Sequence, residues 1–123
     1  MANDFPAMED YNEGSPKKEQ ALRYNSGKRK WSLVDFKSLE PMVEVLEYGC
    51  IKYSPNNWKQ GMPASEVLES MLRHTFSLLN GESKDIESHI DHVGHIQCNA
   101  MFLAYILREK PEFNDLTDEG KIQ

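Results

Sequence analysis

Two histidines in the C-terminal third of the sequence have the spacing of a chemical site. His92 and His95 stand three positions apart, so on a helix they lie one turn apart on the same face. Two such imidazoles can share a metal ion, donate hydrogen bonds to phosphate, or act as acid and base near neutral pH. Asp91, four positions before His95, could orient its ring. A polar interface between helices, with both histidines hydrogen-bonded across it, fits the spacing equally well.

A stripe of carboxylates is the second candidate site. Glu40, Glu44 and Glu47 recur at helical spacing near the start of an apolar periodic segment. Carboxylates one turn apart can hold a hard cation such as Mg²⁺. Negative charge is also common near a helix start, where the helix dipole stabilises it, and the residues alone favour this solvated acidic face.

Arginine and histidine stand side by side in the middle of the chain. Arg73 could grip a phosphate with its planar fork of donors, or form a surface ion pair with Glu66 or Glu69. His74 falls closer to the apolar stripe, where a hydrogen-bonded core histidine is the commoner interpretation.

A loop rich in proline and asparagine carries the fourth group of candidates. Tyrosine or tryptophan can stack on a base, lysine can meet phosphate, and asparagine can contact a base edge. The alternative is that Trp58 fastens the loop to the core. The group consists of Lys52, Tyr53, Asn57, Trp58 and Lys59.

Three helices are needed to position these residues. Apolar periodicity predicts them over about 39–53, 65–79 and 86–108, an all-α fold. Pro41 suits the first turn of the first helix, Ser65 is the expected N-cap of the second, and Pro111 stops the third. The predicted buried face of the second helix consists of Leu68, Met71, Leu72, Thr75, Leu78 and Leu79.

Length and composition limit the class of protein. The 123 residues fit one domain, expected at 21–110, with a flexible polar arm at 1–20 and a polar tail at 111–123. A net charge of −6 argues against a nucleic-acid groove. No apolar run is long enough for a membrane span or a signal peptide, so we expect a cytoplasmic protein. Cys50 and Cys98 are expected to be buried thiols.

The third helix has more apolar surface than one packing face requires. We therefore expect self-association into a dimer or a larger oligomer, which would cover the surplus. The surplus residues are Met101, Phe102, Tyr105 and Ile106.

Taken in order, these motifs resemble the phage dATP/dGTP diphosphohydrolase family, a branch of the MazG-like all-α nucleotide pyrophosphohydrolases. The resemblance extends over about residues 22–108. It rests on Arg23-Tyr24-Asn25, Gly27-Lys28, Ser32-Leu33, Gly49, Lys52-Tyr53, Asn57-Trp58, Gly61, Leu72-Arg73-His74, Gly81-Glu82, Asp85, Glu87-Ser88, His92, His95, Cys98-Asn99-Ala100 and Phe102-Leu103.

The resemblance implies a MazG-like helical bundle completed by oligomerisation, and a purine nucleoside triphosphate cleaved to monophosphate and pyrophosphate. It implies Mg²⁺ or Mn²⁺ held by Glu44 and Glu47, helped by an acid such as Asp91. The expected catalytic residues are Glu44, Glu47, His92 and His95. The expected substrate-binding residues are Lys28, Lys52, Tyr53, Asn57, Trp58, Arg73, His74 and Asn99.

One departure from the MazG pattern separates three hypotheses. Those enzymes carry a second pair of carboxylates, ExxD, where this chain has His92 and His95, and histidine is a poorer ligand for Mg²⁺. The first hypothesis is a metal-dependent enzyme in which a nearby acid substitutes. The second is a phage protein that binds and sequesters a nucleotide without cleaving it. The third is a purely structural helical protein. The acids that could substitute are Glu82, Asp85, Glu87 and Asp91.

Overall fold

The computed structural model describes residues 19–116, so most of the predicted arm and tail lies outside the described residues. The chain divides into two compact units, 1–35 and 36–123, and the three α-helices belong to the second. Within the described residues there are three α-helices and several short 3₁₀ helices, but no strand beyond an isolated bridge between Lys84 and Asp91. The all-α prediction is therefore confirmed.

The described part of the first unit, 19–35, is an irregular loop. Lys28 N donates to Asn25 O at 3.1 Å, and Gly27 between them has a positive φ of 81°. A short 3₁₀ helix, Trp31–Leu33, follows. Within 19–35 the chain therefore forms no hairpin.

Helix α1 (Glu40–Lys52) follows a 3₁₀ turn at Phe36–Leu39 and carries Pro41 in its first turn, as predicted. Proline is tolerated there because the first N–H groups of a helix have no internal acceptor. At the other end, the backbone N–H of Tyr53 donates to Gly49 O at 2.8 Å.

Helix α2 (Ala64–Leu79) begins after Pro63, so Ser65 is not its N-cap. Ser65 lies inside the first turn, where its N–H donates to Asp115 Oδ1 at 2.9 Å and its hydroxyl donates to Asp115 Oδ2 at 2.5 Å. The carboxylate of Asp115, distant in sequence, thus caps the helix. The two hydrogen bonds that Ser65 donates to it lower the pKa of Asp115. Spacing along the chain could not reveal this cap.

Helix α3 (His92–Glu109) begins six residues later than predicted. The preceding residues fold back on themselves instead: Asp85 N donates to Ile90 O and His92 N donates to Ser83 O, both at 2.8 Å. His89 adopts a positive φ of 63°, which no helix residue can have. This loop, residues 82–91, is named the hinge loop below.

Helix α3 packs against both α1 and α2. It approaches α1 closely at Gly94, where an added Cβ would lie 2.5 Å from Pro41 O. The fully buried apolar side chains of the described residues are Ala64, Val67, Cys98 and Ile106. Burial raises the pKa of the Cys98 thiol to about 12, whereas Cys50 is exposed, so the prediction of two buried thiols is wrong for Cys50.

The buried face of α2 differs from the predicted one. Leu72, Phe76 and Leu79 are 63%, 69% and 77% exposed. Ala64 and Val67 are buried, and the half-buried His74 contacts His92 and His95 of α3. Of the surplus predicted on α3, Ile106 is fully buried and Met101, Phe102 and Tyr105 are partly buried, so the three α2 residues are more exposed than this set.

Within residues 19–116, no helix combines the length and the apolar character needed to cross a bilayer.

Candidate functional site

A cavity of about 780 Å³ opens between the end of α1, the loop that follows it, α2 and α3. Cavities that bind small molecules and cofactors have volumes of about 300–1,000 Å³. We call this space the central cavity. Cationic, aromatic and imidazole side chains that are far apart in the sequence line it.

Three histidines form one wall of the central cavity. His74 Nδ1 lies 2.8 Å from His92 Nδ1, and the ring of His74 stacks on that of His95 with centroids 4.4 Å apart and planes 3° apart. His92 is 4% exposed. Burial, followed by the nearby imidazole of His95, lowers the pKa of His74, so the ring of His74 is neutral near pH 7. His92 and His95 thus share this wall with His74, which the sequence also named.

The hinge loop brings an acid to the histidines. Ser88 donates to Asp85 Oδ2 through its N–H at 2.8 Å and through its hydroxyl at 2.9 Å. The Ser88 hydroxyl also lies 2.8 Å from His95 Nε2. Because the hydroxyl has one proton, His95 Nε2 donates to Ser88 when Ser88 donates to Asp85. A chain of hydrogen bonds therefore runs from Asp85 through Ser88 to His95.

This chain has consequences for the ionisation of both ends. Burial alone would raise the pKa of Asp85, but the two hydrogen bonds from Ser88 outweigh it, and the pKa is lowered. Burial lowers the pKa of His95, although the charge of Asp85 opposes this shift. An ionised carboxylate and a neutral imidazole are the resulting states near pH 7.

Asp91 does not take the position expected of it. Its carboxylate accepts a hydrogen bond from Lys84 Nζ at 2.9 Å, its side chain is 44% exposed, and it does not line the central cavity. Ser88 and Asp85 orient His95 instead. The Asp-x-x-Ser pattern of residues 85–88 is a sequence signal for an aspartate that accepts from the following backbone, and it could have identified this loop.

Two cations border the central cavity. Lys52 Nζ lies 2.9 Å from Glu87 Oε2, and this hydrogen bond raises the pKa of Lys52 and lowers that of Glu87. Arg73 is exposed on the cavity, and its guanidinium forms no hydrogen bond or ion pair within residues 19–116. The expected alternative, a surface ion pair of Arg73 with a neighbouring glutamate, is therefore not observed.

Aromatic side chains form a second wall. Trp58 stacks on Phe102 with centroids 4.8 Å apart and meets Tyr105 edge-on at 5.1 Å. Trp58 fastens its loop to α3, as one hypothesis expected, and it lines the cavity as well. The ring therefore packs on α3 and also borders the cavity.

The other predicted substrate-binding residues fall into two groups. Tyr53, Asn57 and Asn99 line the central cavity, and the Asn99 side chain donates to His95 O at 2.9 Å. Lys28 belongs to the first unit, and it is not among the residues that line the cavity.

The predicted carboxylate pair lies outside the lining of this cavity. Glu44 and Glu47 are exposed on α1, and neither lines the cavity. The described residues that could hold a metal there are His74, Asp85 and His92, whose ligand atoms all lie within 4.8 Å of one another.

The fold and the site define an all-helical domain with a ligand-sized cavity. A family model described as dATP/dGTP diphosphohydrolase, N-terminal, matches residues 18–116. The chain therefore belongs to this family of N-terminal domains.

Comparison with characterised proteins adds one relative. The chain is 30% identical over 94 residues to a dATP/dGTP diphosphohydrolase of Salmonella phage PMBT28. The match covers 76% of this chain but 32% of the relative, so the chain spans about a third of the relative's length. No solved structure shows significant similarity to this chain.

Proposed function

We propose that this domain binds a purine deoxynucleoside triphosphate in the central cavity and hydrolyses it to a monophosphate and pyrophosphate. The activity in the relative's name supports this proposal. The observation that carries it is the Arg73 guanidinium, which borders a ligand-sized cavity and has no hydrogen-bond or ion-pair partner among residues 19–116. An exposed cation with no protein partner is available to a phosphate oxygen, with which it can form paired hydrogen bonds. Such an enzyme would act in the cytoplasm, where nucleoside triphosphates are present.

The proposed binding mode follows from the cationic and the aromatic side chains that line the central cavity. Arg73 and Lys52 would meet the phosphates, and Trp58 or Tyr53 would stack on the base. Lys52 is partly occupied by Glu87, so a phosphate has to compete with that carboxylate for it.

In the proposed reaction, a water oxygen attacks the α-phosphorus, and the bond from that phosphorus to the oxygen shared with the β-phosphate breaks. The nucleotidyl group is thereby transferred to water, and pyrophosphate leaves. Asp85 and Ser88 hold the neutral His95 ring in one orientation, and a neutral imidazole can accept a proton from the attacking water. Mg²⁺ or Mn²⁺ is the proposed cofactor, and when bound it would neutralise part of the negative charge of the phosphates. Because Glu44 and Glu47 lie off the cavity, no catalytic step is assigned to them.

A nucleotide panel tests the proposal. The protein is incubated with dATP, dGTP, dCTP and dTTP in the presence of Mg²⁺ or Mn²⁺, and the small molecules are analysed before and after denaturation. Purine monophosphate and pyrophosphate in equal amounts are the expected products. Intact nucleotide released only on denaturation would indicate sequestration and overturn hydrolysis. If the protein yields no products and holds no bound nucleotide, both the binding and the hydrolysis parts of the proposal are overturned.

Replacement of Glu87 by glutamine is expected to lower KM for the triphosphate by about two- to fivefold, the size of one exposed ion pair. Glutamine leaves Lys52 free for phosphate because it removes the competing charge. Steady-state kinetics at low salt measure the effect, and Glu109→Gln, which changes a carboxylate paired with Arg108 off the cavity, is the matched control. An unchanged or higher KM in Glu87→Gln would show that Lys52 does not meet phosphate.

We also propose that a second copy of the chain covers the exposed face of α2 formed by Leu72, Phe76 and Leu79. Monomers rarely expose contiguous apolar surface of this kind, and two identical faces can pack about a two-fold axis. Light scattering is expected to give twice the monomer mass for the wild type, and the monomer mass for Phe76→Glu. A wild-type monomer at micromolar concentration would contradict this.

A further inference from the structure

Two imidazoles and one carboxylate from three separate parts of the chain converge on one point of the central cavity. His74 comes from α2, Asp85 from the hinge loop and His92 from the first turn of α3, and one ligand atom of each lies within 4.8 Å of the other two. Donor atoms around a single first-row metal are about 3–4 Å apart when each bond is about 2.1 Å long. Small side-chain rotations would bring these three atoms to that spacing.

The surroundings hold each of the three side chains in place. His92 is 4% exposed and its backbone N–H donates to Ser83 O at 2.8 Å, while His74 is fixed by its stack on His95. Both hydrogen bonds from Ser88 to the Asp85 carboxylate go to Oδ2, and within residues 19–116 no hydrogen bond is made to Oδ1. Such supporting contacts are typical of metal ligands, whose orientation decides their affinity.

The contact between His74 and His92 is itself informative. Two Nδ1 atoms 2.8 Å apart cannot both carry protons, so at least one presents a lone pair to the other. A cation between the two rings would accept both lone pairs at once. The plain hydrogen bond between them is the competing explanation.

We propose that His74, Asp85 and His92 form a binding site for a divalent transition-metal ion, with its remaining coordination positions open to the central cavity. Two imidazoles and one carboxylate favour Mn²⁺, Fe²⁺, Co²⁺ or Zn²⁺ over Mg²⁺, which prefers ligand sets made of oxygen alone. The three residues line the same cavity as Arg73, so a phosphate oxygen could occupy an open position. That contact with phosphate rests on the proposed function, whereas binding of the ion does not.

Titration of the metal-stripped, full-length protein with Co²⁺ tests the site without any nucleotide. We expect one Co²⁺ per chain, visible absorption bands that indicate nitrogen ligands, and displacement of Co²⁺ by Zn²⁺. Asp85→Asn removes the ligand charge but leaves an oxygen that can accept from Ser88, and His74→Gln removes one imidazole. Each is expected to raise the Kd for Co²⁺ at least about tenfold.

His89→Asn is the matched control, because His89 is an exposed hinge-loop histidine outside the cluster, and asparagine tolerates its positive φ. Its Kd for Co²⁺ should equal that of the wild type. Far-ultraviolet circular dichroism checks the fold of each variant. If His74→Gln does not fold, Asp85→Asn together with the wild-type absorption spectrum decides the outcome, because an oxygen-only site lacks the nitrogen-ligand bands.

Absence of Co²⁺ binding to the wild type, or an unchanged Kd in Asp85→Asn, would overturn the metal site. Co²⁺ binding by a protein that hydrolyses no nucleotide would overturn the proposed function and leave the metal site standing. Full hydrolysis by variants that no longer bind Co²⁺ would leave the proposed function standing and overturn the contact of the metal with phosphate.

Discussion

Replacement of Arg73 by alanine is expected to lower kcat/KM for the purine triphosphate by about 10- to 100-fold, the factor that corresponds to one lost charge-assisted hydrogen bond. Arg73 is the cavity cation without a protein partner among the described residues, so its whole donor fork is available to phosphate. The effect is measured by steady-state kinetics, with kcat and KM determined separately. A rise in KM alone would indicate binding of the ground state, and a fall in kcat would indicate stabilisation of the transition state.

Two variants make this result specific. Arg73→Lys keeps the charge but loses the planar fork, so it should recover only part of the activity. Arg108→Ala removes an arginine that is 71% exposed on α3, outside the cavity, and paired with Glu109, so it should have wild-type kinetics. Equal losses in Arg73→Ala and Arg108→Ala would point to a general effect of net charge, and the assignment of Arg73 to phosphate would then be wrong.

Replacement of Gly94 by alanine is expected to reduce the free energy of unfolding by about 3 kcal/mol, the upper part of the usual range for overpacked cores. An added Cβ would lie 2.5 Å from Pro41 O and 2.7 Å from Pro41 C, and backbone atoms cannot rotate away as a flexible side chain can. The two helices would have to separate. Urea denaturation followed by circular dichroism measures the change, provided that the m-value stays constant.

Gly49→Ala is the matched control, because it makes the same chemical change in α1 where nothing lies within 4 Å of the added Cβ. Alanine restricts the unfolded chain more than glycine does, so this variant should gain about 0.5–1 kcal/mol. Wild-type stability in Gly94→Ala would mean that α1 and α3 do not approach as closely as described. Loss of stability in Gly49→Ala would mean that the α1 backbone tolerates no added methyl group.

Local sequence signals predicted the positions of the helices more accurately than the contacts between them. Periodicity located three helices, and Pro41 placed the start of α1 correctly, because these features act over a few residues. The start of α3 was misplaced because Ile86 and Ile90 continue an apolar helical pattern into the hinge loop, although Ile86 is 90% exposed there. Backbone hydrogen bonds between the two ends of that loop outweigh the pattern.

The buried face of α2 shows the limit of hydrophobic patterning. Periodicity placed Leu72 and Leu79 inside, yet both are exposed, because α2 turns a face with small and polar side chains toward the central cavity. A helix that borders a polar cavity and also carries an uncovered apolar face has two candidate inner faces. Its sequence alone does not distinguish them.

By itself, the sequence determined an all-α fold and identified His92 and His95 as neighbours on one face, because residues three apart on a helix always are. Only the tertiary structure decided which acid joins them. Asp85 reaches His95 through Ser88 because the hinge loop folds back, whereas Asp91, which is nearer in sequence, turns to Lys84. The tertiary structure also brings His74 to these two histidines. Its contact with His92 spans 18 positions in the sequence and depends on how α2 packs against α3.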